Sequence, residues 1–214
     1  MGGNFTDRPE GENVPWRRDA LVAFATSPKM QTWKTISKRL LCKPNRFLAV
    51  QLHEVELPDG RRIADWPWVI TPDYANVLAR TKDGRFLIFR QTKYAVDGVT
   101  LAPVGGFIEP GEDALHAAQR ELREETGFEA QTWHALGCSA VDANRGAGIA
   151  NIFLALDAEK TCPPHADDLE QQDLLLLSRA ELETALDHGE FKVLPWVAAI
   201  ALGLRFLDRP ERLD

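Results

Sequence analysis

The sequence has few cysteines, no internal repeat and no long apolar run, and each absence excludes a class of protein. Its three cysteines, Cys42, Cys138 and Cys162, lie far apart and form no C-x-x-C pair. They therefore fit neither a disulfide framework nor a thiolate zinc site. A reducing compartment, the cytoplasm, is the expected location.

Basic residues are fewer than acidic ones, 25 against 32, which gives a formal net charge of -7. This balance argues against a general polyanion binder, so no nucleic-acid partner is expected. It does not exclude a small phosphorylated substrate, since a bound metal ion can reverse the local charge. The apolar stretch 193–207 is too short for a membrane span and contains Arg205. The N-terminus has no apolar core of the kind found in secretory signals, so the sequence predicts a soluble protein.

The composition is that of a globular chain with a full core. Of 214 residues, 44% are hydrophobic and 27% are charged, which fits one large domain or a domain with an extension. Residues 1–15 are rich in Gly, Pro, Asn and acidic residues and are expected to form a mobile tail. Residues 16–70 are predicted to form an N-terminal antiparallel β meander, and residues 71–214 the main domain.

Turn residues between apolar runs support the strands of this prediction. Strand patterns at 33–42, 46–57 and 61–70 surround the turn Pro58-Asp59-Gly60-Arg61, and a second hairpin pattern surrounds Lys82-Asp83-Gly84. A helix is predicted over 111–127, with Gly127 as its C-terminal stop. Further strands, a helix that starts at a Ser178–Glu181 capping box and a final helix complete the pattern. The expected fold is an α/β (α+β) sandwich around a mixed sheet.

Three glutamates crowd the helix within five residues. At about 100° per residue, Glu121, Glu124 and Glu125 border the apolar stripe that includes Leu122. Carboxylates at i,i+4 repel each other by about 0.2–0.5 kcal/mol even when exposed. Arg120 can offset Glu124, but no neighbour in sequence offsets the Glu121–Glu125 pair. The spacing fits both a solvated, salt-bridged face and a site for Mg²⁺ or Mn²⁺, which prefer carboxylate oxygens.

The run GFIEPGEDALHAAQRELREETGF (106–128) resembles the Nudix box, G-x5-E-x7-R-E-U-x-E-E-x-G-U, where U is a bulky apolar residue. All nine specified positions over these twenty-three residues are filled, by Gly106, Glu112, Arg120, Glu121, Leu122, Glu124, Glu125, Gly127 and Phe128. A chance match of this length in a loop–helix–loop context is very rare. The resemblance implies a Nudix α/β/α sandwich.

The resemblance also implies a reaction: cleavage of a pyrophosphate bond in a nucleoside diphosphate derivative, with Mg²⁺ or Mn²⁺ as cofactor. The implied metal ligands are Glu121, Glu124 and Glu125, with Glu112 and the backbone carbonyl of Gly105 beside them. Arg120 would orient a glutamate. The implied general base is Glu124, Glu125 or Glu170 in the acidic stretch DDLEQQD (167–173), and a solvated loop carboxylate is the alternative for Glu170.

Outside the box, the layout of residues 33–207 resembles the ADP-ribose pyrophosphatase and nucleotide-sugar branch of the family. This likeness implies substrate contacts by Arg90 and Lys93 in RQTKY (90–94), a phosphate contact by Arg145 and a base pocket that includes Trp68. Plain packing is the alternative for Trp68, and an exposed loop arginine for Arg145. The segment 102–106 lacks the glutamate common in that branch, and Lys93 replaces a common arginine. These departures weaken the case for ADP-ribose as the substrate, but they do not weaken the case for the broader class of nucleoside diphosphate derivatives.

The sequence therefore predicts an enzyme that converts a nucleotide sugar, such as ADP-ribose, into a nucleoside monophosphate and a sugar phosphate. The expected partner is a small-molecule nucleotide, and the family likeness implies a homodimer. Two alternatives stay open: a nucleoside triphosphate house-cleaning pyrophosphatase and a non-catalytic, ligand-sensing Nudix domain.

Overall fold

The computed structural model describes residues 30–165 and 171–209. The chain divides into two compact units, one made of Met1–Thr71 with Asp142–Ala147 and the other of Pro72–Val141 with Gly148–Asp214. The predicted tail at residues 1–15 and Glu170 lie outside the described residues. The predicted domain boundary at residue 70 stays a prediction.

The first unit contains an antiparallel meander of strands β1 (Lys34–Asn45), β2 (Leu48–Glu56) and β3 (Arg62–Ile70), in the order β1-β2-β3. The turn between β2 and β3 is the predicted one: Gly60 has φ 83° and its N–H donates to the Leu57 carbonyl at 3.0 Å. Only glycine adopts this left-handed conformation at low cost. The predicted N-terminal antiparallel strands are therefore confirmed.

Residues 142–147 belong to the first unit because they bond to β3. The indole N–H of Trp66 donates to the Asn144 carbonyl at 2.8 Å, and the Val69 N–H donates to the Arg145 carbonyl at 2.8 Å. Asp142 closes the loop by accepting from the Asn144 N–H at 2.9 Å. The loop is thus held by backbone groups as well as side chains.

The second unit contains the remaining elements. In chain order they are β4 (Tyr74–Thr81), β5 (Phe86–Thr92), β6 (Val99–Ala102), β7 (Val104–Phe107), α1 (Ala114–Thr126), β8 (Phe128–Glu129), β9 (Thr132–Ala140), β10 (Ile149–Lys160), β11 (Gln172–Leu177), α2 (Arg179–Asp187) and α3 (Leu194–Leu207). The sheet follows the path β11-β5-β4-β10-β8, with β6 paired to β5, β7 to β4 and β9 to β10. Strands β4 and β10 are parallel and the other pairs antiparallel, so the sheet is mixed.

Helices cover both faces of this sheet. On one face, Val77 of β4 packs in a buried cluster with Ala118 and Leu122 of α1. On the other, Leu78 packs with Leu182 of α2 and with residues of α3. Successive residues of a strand point to opposite faces, so β4 contributes side chains to both cores. The predicted α/β/α sandwich is confirmed.

Strands β6 and β7 are the main addition to the predicted elements. The sequence predicts a loop from Gly105 to Glu112, but the first residues of that segment are strand, with Gly105 paired to Asn76 of β4. A Cβ at Gly105 would overlap the Ala75 carbonyl. The loop prediction was wrong here because glycine lowers strand propensity and so favours a loop in a sequence-based prediction. In the structure, the backbones of β7 and β4 approach so closely that only glycine fits at this position.

The two C-terminal helices begin as their sequences predict. Ser178 accepts from the Glu181 N–H, and the Glu181 carboxylate accepts from the Ser178 N–H, which completes the capping box of α2. Helix α3 starts with a proline in its first turn, where no donor is lost. Among the described residues, no helix is long and apolar enough to cross a membrane.

Candidate active site

Helix α1 carries the glutamates, and local signals set both of its ends. The Asp113 carboxylate accepts from the Leu115 and His116 N–H groups at 2.9 and 3.3 Å, so Asp113 is the N-cap. The helix therefore starts slightly later than predicted. At its other end Gly127 has φ 74° and donates to the Arg123 carbonyl at 2.9 Å, as expected of a left-handed C-terminal stop.

The glutamates lie at the edge of the buried face of α1. Ala117, Ala118 and Leu122 are fully buried. Beside them, the Glu121 side chain is 14% exposed, whereas that of Glu124 is 50% exposed. This is the border position that the helical spacing predicts. Partial burial makes partners for these charges necessary.

Arg120 is the common partner of three carboxylates. Its Nε and Nη2 donate to Glu112 at 2.9 and 3.1 Å, and its Nη1 donates to Glu121 at 2.7 Å and to Glu124 at 3.1 Å. Nη2 also donates to the Phe107 carbonyl at 3.0 Å. Sequence spacing assigned Arg120 to Glu124 alone, and that assignment was incomplete. The turn before the helix folds Glu112 back onto the guanidinium, which helical spacing does not show.

This network changes the acid–base properties of its members. Hydrogen bonds from Arg120 hold the pKa of the Glu112 carboxyl below its ordinary value. The hydrogen bond to Glu112, followed by the interactions with Glu121, raises the pKa of the Arg120 guanidinium. Both shifts favour the charged forms. The Glu112 carboxylate and the Arg120 guanidinium are thus held in their charged forms.

The backbone of β7 receives the carboxylates of the helix. The Gly105 N–H donates to the Glu125 carboxylate at 3.0 Å. A Cβ at Gly106 would overlap the Glu121 carboxylate. The two glycines thus let the carboxylates of Glu121 and Glu125 lie directly against the strand. The glutamates therefore form one cluster with the backbone of Gly105 and Gly106.

The donor set of this cluster suits a hard divalent cation. It offers carboxylate oxygens from Glu112, Glu121, Glu124 and Glu125, which Mg²⁺ and Mn²⁺ prefer. With Arg120 bonded among them, no three acidic, histidine or cysteine side chains of the described residues are arranged as a ready ligand set. The chemistry of the donors therefore fits a cation, once the guanidinium contacts adjust.

The segment that follows β10 is fastened to the C-terminal end of α1. The Gly127 carbonyl accepts from the Thr161 and Cys162 N–H groups at 2.8 and 3.2 Å, and the His165 N–H donates to the Glu124 carbonyl at 2.7 Å. A Cβ at Gly127 would overlap the Cys162 carbonyl. These bonds satisfy carbonyls that a helix end leaves unpaired. Glu170, the predicted loop base, lies outside the described residues.

Two predicted substrate-binding residues lie in the second unit, at or after the end of β5. Arg90 is exposed and forms an ion pair with Asp173 of β11 at 2.7 Å. Lys93 is half-buried, and its carbonyl accepts from the Val96 N–H at 2.9 Å in the following turn. The substrate contacts of both residues stay predictions.

The other two predicted substrate-binding residues, Trp68 and Arg145, lie in the first unit. The Trp68 ring stacks on His53 with centroids 5.0 Å apart, and a Cβ at Gly146 would overlap the indole. Arg145 forms an ion pair with Asp142 at 2.7 Å. These contacts give both residues a packing or loop-closing role, and their roles in binding stay predictions.

A cavity of about 430 Å³ lies along α1 and includes residues that sequence reasoning missed. Gln119, Arg123 and Glu124 of the helix line it together with Ala130 and Trp133. The one sequence signal is that Trp133 follows the box by five residues. Its position beside the helix depends on the pairing of β9 with β10.

Comparison with known proteins identifies the family of this chain. A family model described as the NUDIX domain matches residues 71–197. The ADP-ribose pyrophosphatase of Bacillus subtilis (strain 168) is 26% identical over 185 residues, which cover 85% of this chain and 95% of that protein. The methanol dehydrogenase activator of Bacillus methanolicus is 26% identical over 172 residues, covering 78% and 89% respectively. A solved structure of an ADP compounds hydrolase has a TM-score of 0.73 at 21% identity, covering 87% of this chain and 100% of that chain.

Because the family model spans more than half of the chain, this protein belongs to the Nudix family and is a Nudix hydrolase. The resemblance inferred from the box is confirmed. The structural likeness to the ADP compounds hydrolase shows that the two proteins share a fold.

Replacing Gly106 by alanine should weaken divalent-cation binding. The new Cβ would displace the Glu121 carboxylate, so we expect the Kd for Mn²⁺ to rise about tenfold, as when the support of a ligand is removed. Titration calorimetry with Mn²⁺ measures this. Gly137→Ala is the matched control, because its Cβ would meet only Leu202 at an ordinary 3.6 Å. Equal Mn²⁺ affinities for the two variants would contradict the role of Gly106.

Replacing Gly127 by alanine should destabilise the protein more than the same change at Gly189. Both glycines have positive φ, 74° and 72°, so both changes carry a backbone cost of about 1–2 kcal/mol. Only Gly127 also faces a backbone carbonyl, that of Cys162, whereas Gly189 has open space. Chemical denaturation should show the larger loss of unfolding free energy for Gly127→Ala. Equal losses would mean that the 161–165 segment moves away without cost.

Proposed function

We propose that this Nudix hydrolase cleaves the pyrophosphate bond of a nucleoside diphosphate derivative, ADP-ribose or another nucleotide sugar, in a reaction that depends on a divalent metal. The products would be a nucleoside monophosphate and a sugar phosphate. The observation that carries the proposal is a cluster of four glutamates, three on α1 and Glu112 in the turn before it, which Arg120 and the Gly105–Gly106 backbone hold together.

The choice of substrate class has support beyond the box. The Bacillus subtilis relative that aligns with most of this chain is named an ADP-ribose pyrophosphatase. The solved structure of similar fold is an ADP compounds hydrolase. On the second unit, the exposed guanidinium of Arg90 could exchange its ion pair with Asp173 for a contact with a phosphate. We assign Arg90 and Lys93 to substrate binding on this basis, with Arg145 and Trp68 as further candidates.

We assign Glu121, Glu124 and Glu125 as the metal ligands, with Glu112 and the Gly105 carbonyl beside them. A divalent cation bound there supplies positive charge that offsets the phosphates and makes water a better nucleophile at neutral pH. The cation is Mg²⁺ or Mn²⁺, since both take oxygen ligands.

Arg120 has a positioning role in this proposal. Its planar guanidinium presents several donors in a fixed geometry, so it holds Glu112, Glu121 and Glu124 in place at the same time. A lysine would keep the charge but lose that geometry. Arg120 thus sets the starting positions of the ligands.

The general base must reach solvent water as well as the reaction centre. Glu124 is the box glutamate with a half-exposed side chain, which favours it for this role. Glu125 accepts from the Gly105 N–H at 3.0 Å and is more enclosed. Glu170 stays a candidate from the sequence alone.

We further propose a homodimer that works in the cytoplasm. Strand β1 is exposed along its whole length and includes the apolar side chains of Ile36, Leu40 and Leu41. Exposed apolar edges of this kind are suited to pairing with another chain. All three cysteines are free, as expected in a reducing compartment. Sedimentation equilibrium tests the dimer, and a monomer at micromolar concentration would refute it.

A substrate panel tests the proposed reaction. The purified protein is incubated with ADP-ribose, nucleotide sugars, dinucleotides and nucleoside triphosphates, with Mg²⁺ or Mn²⁺, and the products are identified by mass spectrometry. We expect cleavage of a nucleotide sugar and a loss of about 100-fold or more in kcat/KM for Glu121→Gln and Glu124→Gln, because each removes a metal ligand.

Glu183→Gln is the matched control, since Glu183 is an exposed residue of α2 in an ion pair with Arg179. It should retain full activity. The proposal fails if no member of the panel is cleaved or if the Glu121 variant keeps its activity. Cleavage of nucleoside triphosphates alone would refute the substrate class and leave the metal chemistry standing.

A further inference from the structure

The cavity along α1 shares Arg120 and Glu124 with the glutamate cluster, but its other lining residues have no part in the chemistry described above. Its volume is about 430 Å³, and Glu124 and Arg120 line it together with Gln119 and Trp133. This volume is within the range of small-molecule sites in proteins. A group bound in it would lie directly beside the glutamate cluster.

We propose that this cavity binds the nucleobase of the substrate, with Trp133 as the stacking surface and Gln119 as the residue that reads the base edge. The inference rests on the proposed function for the identity of the ligand as a nucleotide. It assigns a base-binding role to the second unit, whereas the sequence likeness placed that role on Trp68 in the first unit.

Trp133 is held rigidly at the cavity wall. Its indole N–H donates to the Ala130 carbonyl at 3.0 Å. Its ring meets Phe153 edge-on, with centroids 6.4 Å apart and an interplanar angle of 73°. The ring also packs against the buried cluster beneath α1. A fixed aromatic ring binds a planar base without a further loss of side-chain entropy.

The charges around the cavity favour a neutral group over a phosphate. Two arginines, Arg120 and Arg123, and two glutamates, Glu124 and Glu129, line it, so its formal charge is zero. Arg120 bonds to Glu124 at 3.1 Å and Arg123 bonds to Glu129 at 3.1 Å. With the guanidinium groups engaged in these pairs, the cavity suits the uncharged end of a nucleotide while the phosphates lie at the glutamates.

Gln119 supplies the hydrogen-bonding capacity that a base requires. It is an exposed residue of α1 on the cavity wall. Its amide offers both a donor and an acceptor, which match the adjacent donor and acceptor groups on the edge of a base. Gln119 is therefore the expected specificity-determining residue.

Fluorine NMR on protein labelled with 5-fluorotryptophan tests the site without turnover. The chain has six tryptophans, and the resonance absent from Trp133→Phe identifies Trp133, while Trp68→Phe identifies Trp68. The probes are AMP, which carries a base, and ribose 5-phosphate, which does not. We expect AMP to shift the Trp133 resonance and ribose 5-phosphate to leave it unchanged.

Variants at glutamine positions test specificity. Gln119→Ala should raise the Kd for AMP about tenfold, the effect of losing a good contact to a base. It should leave the Kd for ribose 5-phosphate unchanged. Gln131→Ala, at an exposed position outside the cavity wall, should change neither value. Both substitutions are on the surface, so the fold is preserved.

Three results would overturn the inference: a shift of Trp68 instead of Trp133, an equal shift of Trp133 with ribose 5-phosphate, or no shift at millimolar AMP. The outcome is separable from that of the substrate panel. A shift of Trp133 by AMP without cleavage of any panel member supports the base site and refutes the proposed reaction. Cleavage without such a shift refutes the base site alone.

Discussion

The bonding of one guanidinium to three carboxylates is the interaction on which the rest of the site depends. Glu112, Glu121 and Glu124 would repel one another at a half-buried helix edge, and Arg120 bonds to all three. Removing the guanidinium would leave the partly buried carboxylates of Glu112 and Glu121 without a compensating charge. The turn before α1 and the helix itself are therefore tied together through a single side chain.

The second constraint on the site is that strand β7 has glycines, which lack side chains, where it faces β4 and the glutamates. Strand β7 pairs with β4 so closely that Gly105 lies against the Ala75 carbonyl, and Gly106 leaves the space that the Glu121 carboxylate occupies. The Gly105 N–H also binds Glu125 at 3.0 Å. A strand normally buries side chains against a helix, whereas here it presents backbone to carboxylates. Catalytic groups held on rigid elements keep their geometry better than groups on loops.

The end of α1 shows how the surrounding chain is fastened to this core. The carbonyl of Gly127 accepts two backbone hydrogen bonds from the segment after β10, and the His165 N–H reaches the Glu124 carbonyl. Gly127 thus both ends the helix and binds, through its carbonyl, a segment that is distant along the chain. Trp133, brought beside the helix by the pairing of β9 with β10, completes the cavity at its flank. In this chain the sheet thus brings several distant segments to one helix.

Much of the protein was determined by short-range patterns that sequence alone contains. The meander turn at Gly60, the stop of α1 at Gly127 and the cap at Ser178 each depend on a few adjacent residues. The border position of Glu121 follows from helical periodicity, and the complete box showed the family. The strand character of Gly105, the reach of Arg120 to Glu112 and the place of Trp133 were decided by tertiary structure. Each depends on contacts between residues distant along the chain, whose energies local propensity does not include.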